Sequence, residues 1–202
     1  MRVTKAQAQA NRARIVETAS TLFRERGYDG VGVADLMAAA GFTHGGFYRH
    51  FRSKAELMAE AAASGLSQSL ASSEGLEAAE FFKRYLSRKH RDARSAGCTM
   101  AALCGDATRQ SEEVKATFAA GIENMLATLG REGAATPGHV DQRSVRAKMI
   151  DMLAHAVGAV VLSRSCPDDS SLSDEILKVC RKQILASLSA QQPTNVQPRS
   201  RR

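Results

Sequence analysis

Apolar residues recur at helical spacing along nearly the whole chain. From Ala6 to Arg26 the positions Ile15, Val16, Ala19, Leu22 and Phe23 fall on one face, and Gly27 closes the pattern as a C-terminal glycine would. After the loop 28–32, Val33, Leu36, Met37 and Ala40 repeat at i, i+3, i+4 and i+7, which predicts a short second helix over 33–40 ended by Gly41. Thr43 is placed to cap a third short helix carrying Phe47, Tyr48 and Phe51. Ser53 is placed to cap a longer helix that starts at Lys54, with Glu56 completing a capping box.

The same periodicity carries that helix over Lys54–Ser72 and predicts five further ones, over Gly75–Arg91, Thr99–Arg109, Ser111–Leu129, Gln142–Arg164 and Leu172–Ser189. No stretch alternates like a strand, so the expected fold class is all-α. Breaks fall at Ser72-Ser73, Ser95-Ala96-Gly97, Gly130 to Gly138 and Cys166 to Ser171, which hold turn residues or prolines. Residues 191–202, with Pro193, Pro198 and three arginines, are expected to form a disordered basic tail.

Charge changes this picture by marking one end. The net charge is +7, yet residues 1–54 hold nine Lys/Arg against four acids and the tail adds three Arg, leaving the body near neutral. A basic first quarter on a neutral body suits an anionic polymer, nucleic acid before membrane. No apolar run reaches the roughly 18 residues of a membrane span, and the polar, basic start does not resemble a secretory signal, so a cytoplasmic protein is expected. Cys98, Cys104, Cys166 and Cys180 lack metal-site spacing and are read as free thiols, with neither metal nor cofactor expected. No Ser, His and Asp stand in a recognisable catalytic context, so an enzyme is not expected.

Two short helices joined across Gly41-Phe42 and preceded by a longer one make a unit of helix-turn-helix type. Gly27-Tyr28, Ala40-Gly41, Tyr48-Arg49-His50-Phe51, Lys54 and Leu57 then stand in an order and spacing that resembles the N-terminal domain of TetR/AcrR transcriptional regulators. The likeness covers about the first quarter by residue match and the rest only by length and helical character. It implies a helix-turn-helix DNA-binding domain at 1–53, a helical effector-binding and dimerisation domain at 54–190, and the tail at 191–202. It also implies a homodimeric repressor that binds a palindromic operator and is released by a small molecule.

By that resemblance Thr43, His44, Gly45 and Gly46 open the recognition helix at the DNA, where glycines let the backbone approach closely. Tyr48, His50 and Lys54 resemble the family's phosphate-binding set, and Arg49 can reach a guanine edge or a phosphate. Phe47 and Phe51, four apart, are expected in the core on Leu36, Leu22 and Phe23. The chain departs from the family at Gly32, where a Ser or Thr hydroxyl usually caps the second helix and touches phosphate. Lys5, Arg12 and Arg14 are candidates to compensate.

In the body, Val145, Met149, Met152, Leu153, Ala156, Val157, Val160 and Val161, with the small Ala154, Gly158 and Ala159, offer one dimerisation face, and Leu172, Ile176, Val179, Ile184 and Leu188 a second. A largely apolar effector pocket is expected among Phe82, Tyr85, Met100, Leu103, Phe118, Ile122, Met125, Met152 and His155, with Tyr85 and His155 as polar anchors. Phe81 and Met149 belong to the same helical faces. Two other functions compete: a ligand-free architectural DNA binder, and a redox- or electrophile-sensing regulator acting through Cys98 at a helix start. Cys98 and Cys104 are six residues apart on one expected helix, about 9 Å along its axis and beyond a disulfide's reach.

Overall fold

The computed structural model describes residues 4–133 and 142–190, and every regular element among them is helical. The expected tail at 191–202 and part of the expected break at 130–138 lie outside the described residues. Helix α1 (Lys5–Arg26) is capped by the Thr4 hydroxyl, which accepts from the Gln7 amide at 3.1 Å. It ends at Gly27, whose φ of 72° is open to glycine but strained for other residues. Helix α2 (Val33–Ala39) begins at Gly32 with no side-chain cap.

The segment expected as a third α-helix is instead a 3-10 helix, His44–Arg49. The Thr43 hydroxyl does not make the expected capping bond. With only six residues and two consecutive glycines, Gly45-Gly46, the segment settles into the tighter form. Ser53 caps α3 (Lys54–Ala71) by accepting from the Glu56 amide at 3.1 Å. The reciprocal arm of that capping box goes one residue further back, since Glu56 Oε2 accepts from the amide of Arg52 at 2.7 Å.

The expected helix 75–91 is two helices, α4 (Ala78–Tyr85) and α5 (Arg88–Asp92). Ser87 causes the division: its hydroxyl accepts from the His90 amide at 3.2 Å, a competing cap in what would be a helix interior. Then follow α6 (Thr99–Ala107), α7 (Glu112–Gly133), α8 (Gln142–Ser165) and α9 (Ser171–Ser189). Helix α7 runs past the expected stop at Leu129, as a single glycine such as Gly130 weakens a helix without ending it.

Two apolar cores result. The first joins Ile15, Phe23, Tyr28, Leu36, Met37, Phe47 and Phe51 to Leu57 and Met58 of α3, and reaches Leu103, Val114 and Phe118 of α6 and α7. Packing therefore continues across position 53, into the helix that opens the body. The second core gathers Phe82, Leu86, Met100, Met125, Leu129, Met149, Met152, Ala156 and Val160. Helix α3 packs along both α1 and α7, and α8 along α9. Two polar links also tie the end of α1 to the body: Arg24 Nε donates to the Ser95 carbonyl at 2.6 Å, and the Tyr28 amide to Asp106 Oδ2 at 3.0 Å.

A Cβ at Gly27 would stand 2.6 Å from Asp106 Oδ2, in addition to its backbone strain. Gly27→Ala is expected to lower stability by about 1–3 kcal/mol in urea titration. The exposed Gly105, within α6 and with nothing near its Cβ direction, gives the opposite sign: Gly105→Ala should raise stability by about 0.5–1 kcal/mol.

Candidate nucleic-acid interface and adjoining cleft

The 3-10 helix is held from beneath. Phe47 and Phe51 are buried with ring centroids 5.6 Å apart, and the Phe47 ring meets Tyr48 edge-on at 5.2 Å. Burying one edge sends the other outward. Tyr48 is 72% exposed, the most exposed large hydrophobic side chain among the described residues, and Thr43, His44, Gly45 and Arg49 are exposed beside it. No side chain comes near the Cβ direction of Gly45, so its backbone faces open space.

His50 is half-buried between the rings of Phe42 and Phe51. Burial first, then Arg12 and Arg49, lowers its pKa, so it is a neutral hydrogen-bonding group at neutral pH rather than a cation. Lys54 has an internal partner: its ammonium donates to the Tyr28 carbonyl at 2.6 Å, fixing the start of α3 to the loop after α1. Arg12 is engaged as well. It bonds Glu56 at 3.0 Å, pairs with Glu60, and lies 4.2 Å above the Phe51 ring. Arg12 thus serves the interior of the unit. Arg14 lies toward the Phe42 ring, 6.0 Å from its centroid, and Lys5 is exposed.

Behind this unit lies an open cleft of about 1170 Å³. Its wall includes Arg24 of α1, the end of α3, Phe81 and Tyr85 of α4, His90, the turn Ser95 to Cys98, and Met125. Local hydrogen bonding sets this wall. His90 Nδ1 donates to the Tyr85 carbonyl at 2.7 Å and its Nε2 accepts from the Cys98 amide at 3.2 Å, which defines one neutral tautomer. Burial lowers the His90 pKa, in keeping with that form. Its ring stacks on Tyr85 with centroids 4.5 Å apart. The Tyr85 hydroxyl is buried beside the Cys98 thiol, and burial, followed by Cys98, raises its pKa well above 10.

Residues 15–61 match the family described as "Bacterial regulatory proteins, tetR family". The chain is 45% identical over 58 residues to the HTH-type transcriptional regulator TtgR of Pseudomonas putida, and 37% identical over 59 residues to AcrR of Shigella flexneri. These matches cover 29% of this chain and only 28% and 27% of those relatives. A solved TetR transcriptional regulator from Chloroflexus aurantiacus extends the likeness, with 25% identity and a TM-score of 0.68 over 93% of this chain and 98% of that one. Residues 15–61 carry the N-terminal domain of the TetR family. At 16% identity and a TM-score of 0.57, covering 87% of this chain and 98% of the other, AibR in complex with isovaleryl coenzyme A and operator DNA shares the fold.

Within this TetR-type N-terminal domain the expected interface residues lie together: Thr43, His44, Gly45, Gly46, Tyr48, Arg49 and His50 are on or beside one 3-10 helix, with Lys54 at the next helix start. The expected pocket residues are not gathered in the same way. Tyr85 and Met125 line the cleft, whereas Phe82, Met100 and Met152 fill the second core and Ile122 packs against it. Leu103 and Phe118 belong to the first core, and His155 is exposed on α8. Hydroxyls and cations also line the wall, with Thr21, Ser69, Ser72, Ser73, Ser87 and Ser95 beside Arg24, Lys83 and Lys89. Cys98 lies in it as a buried free thiol, and Cys104 is also free, its pKa pushed up to about 11 by burial. Among the described residues no helix is long and apolar enough to cross a membrane.

Glu56 organises the interface from within by accepting from the Arg52 amide, Arg12 and Arg52. Those bonds, the backbone one foremost, hold its pKa below the ordinary glutamate value. A carboxylate with a depressed pKa adds stability above its unfolded pKa, and that stability is lost as pH falls through the folded value. Glu56→Gln is therefore expected to lower the melting temperature at neutral pH and to flatten the acid limb of the melting profile below the ordinary glutamate range. A limb as steep as wild type's would show that Glu56 carries no part of it.

Proposed function

We propose that this protein is a cytoplasmic transcriptional repressor that binds a palindromic operator as a homodimer and is released when a small molecule enters the cleft. The observation that carries the DNA reading is the 3-10 helix itself. Tyr48 and Arg49 are aimed at solvent while Phe47 and Phe51 anchor the same turn, which is the division of labour needed by an element that enters a major groove. Tyr48 and a neutral His50 contact phosphate oxygens, Arg49 a phosphate or base edge, and Thr43 and His44 read sequence with the Gly45-Gly46 backbone close by. Lys54 contributes through whichever ammonium hydrogens the Tyr28 carbonyl leaves free. In AibR the same fold is found with operator DNA and a small molecule.

Dimerisation is supported by a stripe of apolar side chains left uncovered. Ile150, Val161 and Leu162 of α8 and Leu172 and Val179 of α9 are 42–60% exposed, and apart from Tyr48 they are the exposed large hydrophobics among the described residues. Ala154 is exposed with them, Val157 and Gly158 partly so, and nothing blocks the Cβ direction of Gly158, leaving room for a close helix approach. Met149, Met152, Leu153, Ala156, Ala159, Val160 and Ile184, read from the sequence as part of these faces, turn into the protomer's own core. The outward residues make a narrower seam than the sequence suggested. Cys98 stands in the cleft wall with only 6% of its surface exposed, and the electrophile-sensing alternative is not the preferred reading.

Fluorescence anisotropy with DNA from upstream of the protein's own gene tests the DNA reading. Tyr48→Phe should weaken binding to all sequences about three- to tenfold. Arg49→Ala should also reduce the salt slope by about one phosphate, and changes at Thr43 or His44 should alter the preferred sequence. Wild-type affinity in both Tyr48→Phe and His50→Ala would refute this docking. Sedimentation tests the seam: Leu162→Arg, at an exposed position, should give a monomer with unchanged helical circular dichroism, whereas an intact dimer would place the interface elsewhere.

A further inference from the structure

The chemistry of the cleft points to one class of effector, an inference that rests on the cleft being the effector site. Arg24 is only 9% exposed, yet no carboxylate pairs with it among the described residues. Its Nε donates to the Ser95 carbonyl at 2.6 Å and its Nη1 to Ser20 Oγ at 2.7 Å, both neutral acceptors. Nη2 makes no hydrogen bond among the described residues. A guanidinium offers five donors, so this one is under-used, and a buried cation without a counter-ion is costly. Its pKa is lowered chiefly by that burial.

The surroundings do not supply the missing anion. Lys83, Arg84 and Lys89 add positive charge to the wall, and its acid, Glu80, is held by Arg84 at 2.8 Å. One buried hydroxyl, Thr99 Oγ1, has no partner among the described residues, and Tyr85 Oη has only the Cys98 thiol beside it. Thr99 Oγ1 is beside Arg24, because a Cβ at Gly65 would meet Thr99 Oγ1 at 2.4 Å and Arg24 Nη1 at 2.6 Å. Gly65 is thus the gap through which the guanidinium crosses α3. Phe81, the Tyr85 ring, Leu76 and Met125 supply an apolar side to the same cleft.

We propose that the cleft takes a small amphipathic carboxylate, its head paired with Arg24 and its apolar part against Phe81, Tyr85 and Met125. The planar guanidinium suits the two oxygens of a carboxylate, and the wall lysines favour its entry. Arg24 belongs to α1, so a carboxylate competing with the Ser95 carbonyl for the guanidinium would loosen the tie between the recognition unit and the turn Ser95 to Cys98.

Calorimetry on the full chain provides the test, with octanoate and phenylacetate compared against the neutral octanol and phenylethanol. Each carboxylate is expected to bind about tenfold or more tightly than its alcohol, and Arg24→Gln to reduce that preference to less than about threefold. Should Arg24→Gln not fold, NMR of the wild-type Arg24 Nε–H gives a second reading: the carboxylates must shift it and the alcohols must not. Equal binding of acids and alcohols, no binding of either acid at millimolar concentration, a preference that survives Arg24→Gln, or an unmoved Nε–H resonance would each overturn the proposal. Titration of operator DNA separates this from the repressor reading. A carboxylate that binds through Arg24 but leaves DNA affinity unchanged supports the site and contradicts release by ligand, whereas intact DNA binding with no carboxylate binding removes the site alone.

Discussion

The C-terminal end of α1 is where the two parts of the molecule are joined, and the rest of the architecture depends on it. Within Arg24–Tyr28 the chain buries a guanidinium against Ser95, turns at Gly27, gives the Tyr28 amide to Asp106 and the Tyr28 carbonyl to Lys54. The Tyr28 ring is fully buried edge-on to Phe23 at 5.0 Å. Its hydroxyl has no partner and its pKa is raised by burial. Those bonds link α1, α3, the turn after α5 and α6, so a shift in the body cannot leave the recognition unit unmoved. Buried, directional contacts favour discrete alternatives over continuous deformation, which is what a two-state regulator requires.

The recognition element itself is small and weakly determined by its own sequence. Gly45 and Gly46 are poor helix formers, and Thr43 contributes no capping bond. Its geometry comes from Phe47 and Phe51 below, and from Arg12, which lies over Phe51 while bonding Glu56 and Glu60 of α3. A rigid underside with a backbone exposed above allows close approach to DNA without exposing the hydrophobic anchors.

The helices were legible in the sequence because their buried faces repeat at helical spacing, and Phe47, Phe51, Leu36 and Phe23 could be assigned to one core for that reason. The outward position of Tyr48 and Arg49 follows from the same period. The cleft was not legible in this way. Periodicity tells which face of a helix is buried but not whether that face meets another helix or a void, so Leu103 and Phe118 could not be told from Met125. Much of the wall also comes from helix ends and from the turn Ser95 to Cys98, where no period exists. A signal for Arg24 was present but easily passed over: it falls next to Phe23 and four residues after Ser20, on the face that α1 buries, where a cation has no reason to be unless something meets it. The tie of Lys54 to the Tyr28 carbonyl links positions 26 residues apart, and only the folded chain reveals it.

The central claim is that two copies of this unit present their recognition elements together to DNA. Selection from a random DNA pool with the purified full-length protein, followed by sequencing, tests it most directly. Enrichment of an inverted repeat is expected, because two-fold protein symmetry imposes the same symmetry on the site. Enrichment of an isolated half-site or a direct repeat, or no enrichment at all, would contradict it.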